Sequence, residues 1–90
     1  MSKIFVNWDM ALLAAQSLCI YFARKGYLVS CTFSASIDEC QVSVHRKIGE
    51  KLRVPKGYIF SERTEKDYPT GLDVEEPFAV THFRYYTREY

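Results

Sequence analysis

The sequence predicts an α+β fold. We expect a small, mostly antiparallel sheet of four to five strands with one main α-helix, residues 8–25, packed on one face, in the order β-α-β-β-(β)-β. Two patterns predict it. Between Tyr27 and Ile48 apolar residues recur at every second position, the period of a strand. Between Trp8 and Phe22 they recur at every third or fourth, the period of a helix. Ninety residues that are 48% hydrophobic and 16% aromatic suit a single globular domain spanning 1–90.

Lys3-Ile4-Phe5-Val6 is β-branched and aromatic and reads as a first strand. Asn7 is placed to cap the helix that follows, with Asp9 in its first turn where negative charge suits the dipole. Trp8, Leu12, Ala15, Cys19 and Phe22 make the core-facing stripe, flanked by Ala11 and Leu18. Gly26 fits the left-handed position after the last turn, which would let Tyr27 touch Phe22. Leu13, Ile20 and Tyr21 fall away from the stripe, so the helix is apolar around most of its circumference.

Tyr27, Val29, Cys31, Phe33 and Ala35 alternate with Leu28, Ser30, Thr32 and Ser34. Cys40, Val42, Val44 and Ile48 repeat the pattern, with Arg46 the only polar residue on that side. With 36–39 as the connection, Ala35 faces Cys40, Phe33 faces Val42 and Cys31 faces Val44, a hairpin with one dry and one wet face. Cys31 and Cys40 would then lie on the order of 13 Å apart, beyond disulfide reach. Val54-Pro55-Lys56-Gly57 fits a type I turn. Tyr58-Ile59-Phe60 reads as a strand and Glu62–Glu76 as a polar surface loop. Phe78–Thr87 reads as a last strand, apolar on both faces, which suggests a central position or one face covered by the helix and the other by a partner.

The net charge is +1, which gives the whole chain no electrostatic bias. Three cysteines are too few for a disulfide scaffold and all fall on core faces, so free thiols and a reducing, cytoplasmic setting are expected. No leader pattern opens the chain, and Met10–Ala23 is shorter than the roughly 20 residues of a membrane span. No C-x-x-C or local His pair marks a metal, and no cofactor motif occurs. A cysteine nucleophile would need a base in reach, and His45 points from the face opposite Cys31 and Cys40. A non-enzymatic protein is the expectation.

Charge is segregated locally. From Cys40 to Phe60, Arg46, Lys47, Lys51, Arg53 and Lys56 stand against Glu50 alone; from Ser61 to Glu76, six acids stand against Arg63 and Lys66. The leading expectation is a small module that occupies a surface on a larger protein or protein complex. An acidic loop of Glu62, Glu65, Asp67, Tyr68, Asp73, Glu75 and Glu76 would face a basic, nucleic-acid-handling partner. The alternative is nucleic-acid binding through Arg46, Lys47, Lys51, Arg53 and Lys56, with Tyr58 stacking on bases. The third is homodimerisation through Leu13, Ile20 and Tyr21.

In being small, single-domain, rich in aromatics and poor in catalytic signatures, the chain resembles the small host-takeover and defence-inhibiting proteins of phages, anti-CRISPR proteins among them. The resemblance lies in size and composition rather than in any motif. It implies an inhibitor acting in a host cytoplasm.

Overall fold

The computed structural model describes residues 5–68 and 77–87, which form one helix over a four-stranded antiparallel sheet. Asn7 starts α1, Trp8–Arg24, by accepting the Met10 amide at 2.8 Å. At the other end Gly26 takes φ +94° and its N–H donates to the Ala23 carbonyl at 3.0 Å, while the Tyr27 N–H donates to the Phe22 carbonyl at 3.1 Å. Those two bonds make a Schellman motif, and the Tyr27 ring meets Phe22 edge-on at 5.7 Å. Ala11, Ala15, Leu18 and Phe22 are buried, with Trp8 and Cys19 half-buried on the flank of the same stripe.

The hairpin forms from β1, Leu28–Ser34, and β2, Glu39–Arg46, with the faces the alternation predicts. Its register is two positions from the expected one. Phe33 pairs with Cys40, Cys31 with Val42 and Val29 with Val44. The cause is the connection, which begins one residue early. Ala35–Ile37 winds into a 3-10 turn and Asp38 takes the left-handed φ of 51°. Thr87 fixes that turn from outside, its N–H and its hydroxyl both donating to the Asp38 carbonyl, at 3.0 and 2.9 Å. A slip of two keeps every side chain on its face, whereas a slip of one would have exchanged the faces. It also makes Cys31 and Cys40 diagonal neighbours on one face rather than distant ones.

β4, Phe78–Tyr86, lies between β2 and β3 in the order β1-β2-β4-β3. It buries Ala79, Thr81, Phe83 and Tyr85 towards the core and Val80 on the opposite face, as a central strand must. β3, Glu62–Tyr68, corrects the expected loop. A charged strand is tolerated there because it lies at the sheet edge. The strand expected at Tyr58–Phe60 is instead irregular chain packed on the core. The turn before it falls one residue later than expected, with the Tyr58 N–H donating to the Pro55 carbonyl at 3.3 Å and Gly57 at φ +104°. Ile48, expected on the dry face, lies beyond β2 and is exposed. Of the first strand, Phe5 makes an isolated parallel bridge to Tyr86, while Lys3 and Ile4 lie outside the described residues.

α1 packs equally over β1 and β2 and reaches β4 only marginally. Leu52, Val54, Tyr58 and Phe60 complete the core from the other side. Phe83 sits where the two coverings meet, stacked on Phe22 at 5.9 Å and edge-on to Phe60 at 5.1 Å.

Candidate partner-binding surfaces

Between α1 and the 57–59 segment the surface is hollow. Met10, Leu13, Ala14 and Ser17 form the helix wall, and Gly57, Tyr58 and Ile59 form the other, around a space of about 450 Å³. A second hollow of about 670 Å³ adjoins it, sharing Ser17 and Tyr58 and continuing past Ile20 and Tyr21 to Arg24 and Lys25. The trough stays open because Ala14 and Ser17 are small and Gly57 has no side chain. Its rim holds some of the most exposed apolar residues of the molecule: Leu13 at 67%, Ile20 at 51% and Met10 at 49%.

The residues expected at a dimer surface separate. Leu13 and Ile20 are exposed, but Tyr21 is half-buried, packed on Tyr58 at 5.5 Å and Phe22 at 5.1 Å, with the Lys25 ammonium over its ring. Tyr58, expected as a base-stacking ring, is held in the same contact.

The basic set also divides. Arg46 is 9% exposed and belongs to the interior. Its Nε donates to Thr81 Oγ1 at 2.9 Å, its Nη1 donates to the Glu50 and Lys47 carbonyls at 2.9 and 3.2 Å, and its Nη2 pairs with Glu65 Oε1 at 3.2 Å. Lys47, Lys51, Arg53 and Lys56 remain exposed.

The acidic set is no single loop. Glu62, Glu65, Asp67 and Tyr68 lie in β3, while Asp73, Glu75 and Glu76 fall outside the described residues. Glu65 is committed to Arg46 and Arg63, the latter at 3.0 Å. Its hydrogen bond from Arg63 holds the carboxyl below the usual glutamate range, aided by Arg46 and opposed by partial burial. Glu62 accepts the Tyr86 hydroxyl, and burial followed by that bond pushes the phenol up to about 12. Tyr68 stacks on Phe78 at 4.7 Å, and Phe78 in turn stacks on His45 at 5.6 Å. Two of the expected contact carboxylates therefore hold the sheet together.

The open sheet face is bonded within itself. His82 Nδ1 shares a hydrogen bond with Ser43 Oγ at 2.9 Å, and Arg84 bridges Glu39 at 2.9 Å and Thr64 at 2.6 Å. Burial, with Arg84, His45 and Lys66 nearby, lowers the His82 pKa from its ordinary value. Cys19, Cys31 and Cys40 are free thiols. Burial first, with Cys31 beside them, pushes the Cys19 and Cys40 thiols up to about 12, which favours the protonated thiol over the nucleophilic thiolate. Among the described residues no cluster of His, Cys, Asp and Glu could hold a metal ion, and no helix is long and apolar enough to cross a membrane.

Compared with protein-family models, curated proteins and solved structures, the chain matches none. Sequence reasoning found the helix wall of the trough through Leu13 and Ile20. It missed Met10, which the i, i+3 spacing to Leu13 could have supplied. It missed Gly57 and Ile59 because the pattern reads Gly57 as the end of a turn and Ile59 as part of a strand.

Proposed function

We propose that the protein is a non-enzymatic binding module that occupies a surface on a larger protein, and that the trough between α1 and residues 57–59 makes the contact. The supporting observation is the exposed apolar residues along this trough, Met10 and Leu13 in the hollow that Ile59 also lines and Ile20 in the one that adjoins it. From Met10 to Arg24 the helix wall runs about 21 Å at 1.5 Å per residue. That length suits three to four turns of an amphipathic helix laid into the trough by its apolar anchors. The chemistry of the ends selects the partner segment further. Arg24 and Lys25 line one end and Lys56 precedes Gly57 on the far wall, so the bound segment carries acidic residues where it crosses them. A small module that covers such a segment acts by blocking it, the mode of an anti-defence inhibitor of the phage or anti-CRISPR kind.

Affinity capture followed by binding of the purified partner tests this. Leu13 is exposed, so Leu13→Glu leaves the core intact. Losing one buried leucine anchor is worth about 1.5–3 kcal/mol, a roughly 10- to 150-fold weaker complex. Arg24→Glu weakens it further at low salt. A partner held equally by wild type and Leu13→Glu would eliminate the trough as the contact.

A second reading rests on the four cations still exposed in one segment, Lys47, Lys51, Arg53 and Lys56. Four phosphate contacts give a log–log salt slope of about −3 on single strands. A flat salt response removes nucleic acid as the ligand.

A further inference from the structure

The two edges of the sheet are opposite in character. β3 carries five charged residues among seven, the usual protection against edge-to-edge pairing. β1, Leu-Val-Ser-Cys-Thr-Phe-Ser, carries none and has no proline, and among the described residues nothing pairs with its outer side. Its Leu28 is 70% exposed and its Phe33 48%. Above it, a hollow of about 350 Å³ opens between the strand and the helix flank, lined by Gln16, Cys19, Ile20, Cys31 and Phe33.

We infer that β1 pairs antiparallel with β1 of a second copy, joining two sheets into one of eight strands about a two-fold axis at Cys31. The register follows from parity. Both helices stay on one face only if core-facing residues oppose core-facing residues. Among such registers, only the one centred on Cys31 uses all seven residues. It sets Val29 against Phe33, Ser30 against Thr32, Leu28 against Ser34 and Cys31 against itself, with no charge to repel. The helices then meet without adjustment. α1 packs on β1 and β2 alike and little on β4, which we take to place its axis above that strand pair. With strands about 4.8 Å apart, the two helix axes come about 10 Å from each other, within the packing distance of helices. The flanks that meet are Gln16, Cys19, Ile20 and Ala23, spaced i, i+3, i+4, i+7 and uncharged. Pairing stops at two copies, because the edges left over are both the charged β3. Ile20 borders both surfaces, but Met10, Leu13, Ser17 and Ile59 line only the trough, so the dimer leaves that part of it open, and Leu13→Glu bears on the trough alone.

Sedimentation equilibrium of the full chain tests it. The mass should rise with concentration from 10.5 kDa towards twice that value. Thr32→Lys, an exposed change on the open face, places two lysines diagonally across the axis and should weaken dimerisation by up to about 5-fold at low salt, with an unaltered circular dichroism spectrum. Ser30→Lys repeats the test at the facing position should the first variant fold poorly. Leu13→Glu should leave the dimer intact. Oxidation with diamide should give a disulfide-linked dimer that Cys31→Ser abolishes and Cys19→Ser does not. A monomer at every concentration overturns the inference, as does a dimer whose dissociation constant neither lysine variant raises.

Discussion

Replacing Arg46 decides between two views of the molecule. If Arg46 belongs to a phosphate-binding surface, its removal leaves stability unchanged. If it belongs to the interior, removal is severe. The change Arg46→Met keeps the apolar stem and deletes the guanidinium, so it isolates the head group. The partners lost are the Thr81 hydroxyl, the Lys47 and Glu50 carbonyls and the Glu65 carboxylate. Glu65 is 46% exposed at its side chain and rehydrates, so that pair contributes about 0–1 kcal/mol. Thr81 is fully buried but keeps a contact to Glu65 at 3.4 Å. The two carbonyls and the hydroxyl, at about 1 kcal/mol each, bring the total to about 2–4 kcal/mol. A domain of this size has only about 5–13 kcal/mol in all. Thermal melting should fall by about 10–25 °C, and the urea midpoint should drop at constant m. Arg46→Lys should fall between, since an ammonium has no fork to reach three acceptors at once. A midpoint for Arg46→Met within about 0.5 kcal/mol of wild type would refute the buried-arginine argument and return Arg46 to the basic surface.

Three further outcomes are expected of the same fold. The Tyr85 hydroxyl is buried without a hydrogen-bond partner among the described residues, so Tyr85→Phe should raise stability by about 1 kcal/mol in urea unfolding; a loss of that size would mean the hydroxyl is satisfied. Gly26→Ala forces a side chain into φ +94° at the helix end and should cost about 1 kcal/mol, although no atom lies within 4 Å of the added carbon. Glu65 has a depressed carboxyl, so its contribution is present above the unfolded glutamate value of about 4.3 and is lost as pH falls through the folded value; acid titration of stability should flatten below about pH 4.5 in Glu65→Gln relative to wild type.

The helix and its caps were legible because their causes are local. Asn7, Asp9 and Gly26 act within four residues of themselves, and the Phe22–Tyr27 contact follows from the motif they build. The hairpin faces were legible for a different reason: parity survives any even slip. Its register was not, because the turn that sets it is held by Thr87, 49 residues away from Asp38. No pattern within residues 35–39 encodes that clasp.

Charge misled where alternation did not. Counting signs placed Arg46 with Lys47 and Lys51 in one patch, yet alternation had already put it on the dry face of β2, in line with Val42 and Val44. The position won because a guanidinium can satisfy four acceptors at the margin of a core and a lysine cannot. The same confusion made a loop of Glu62–Tyr68. Its polarity reflects an edge that must not pair, and its place beside β4 leaves no strand position for the more apolar Tyr58–Phe60, which closes the core instead. Among the described residues a single covering helix then has no second layer of protein above it. The exposed Leu13 and Ile20 follow from that shortage, and so does the uncharged edge of β1: in a chain this short, the apolar surface that the fold cannot cover is the surface left for another molecule.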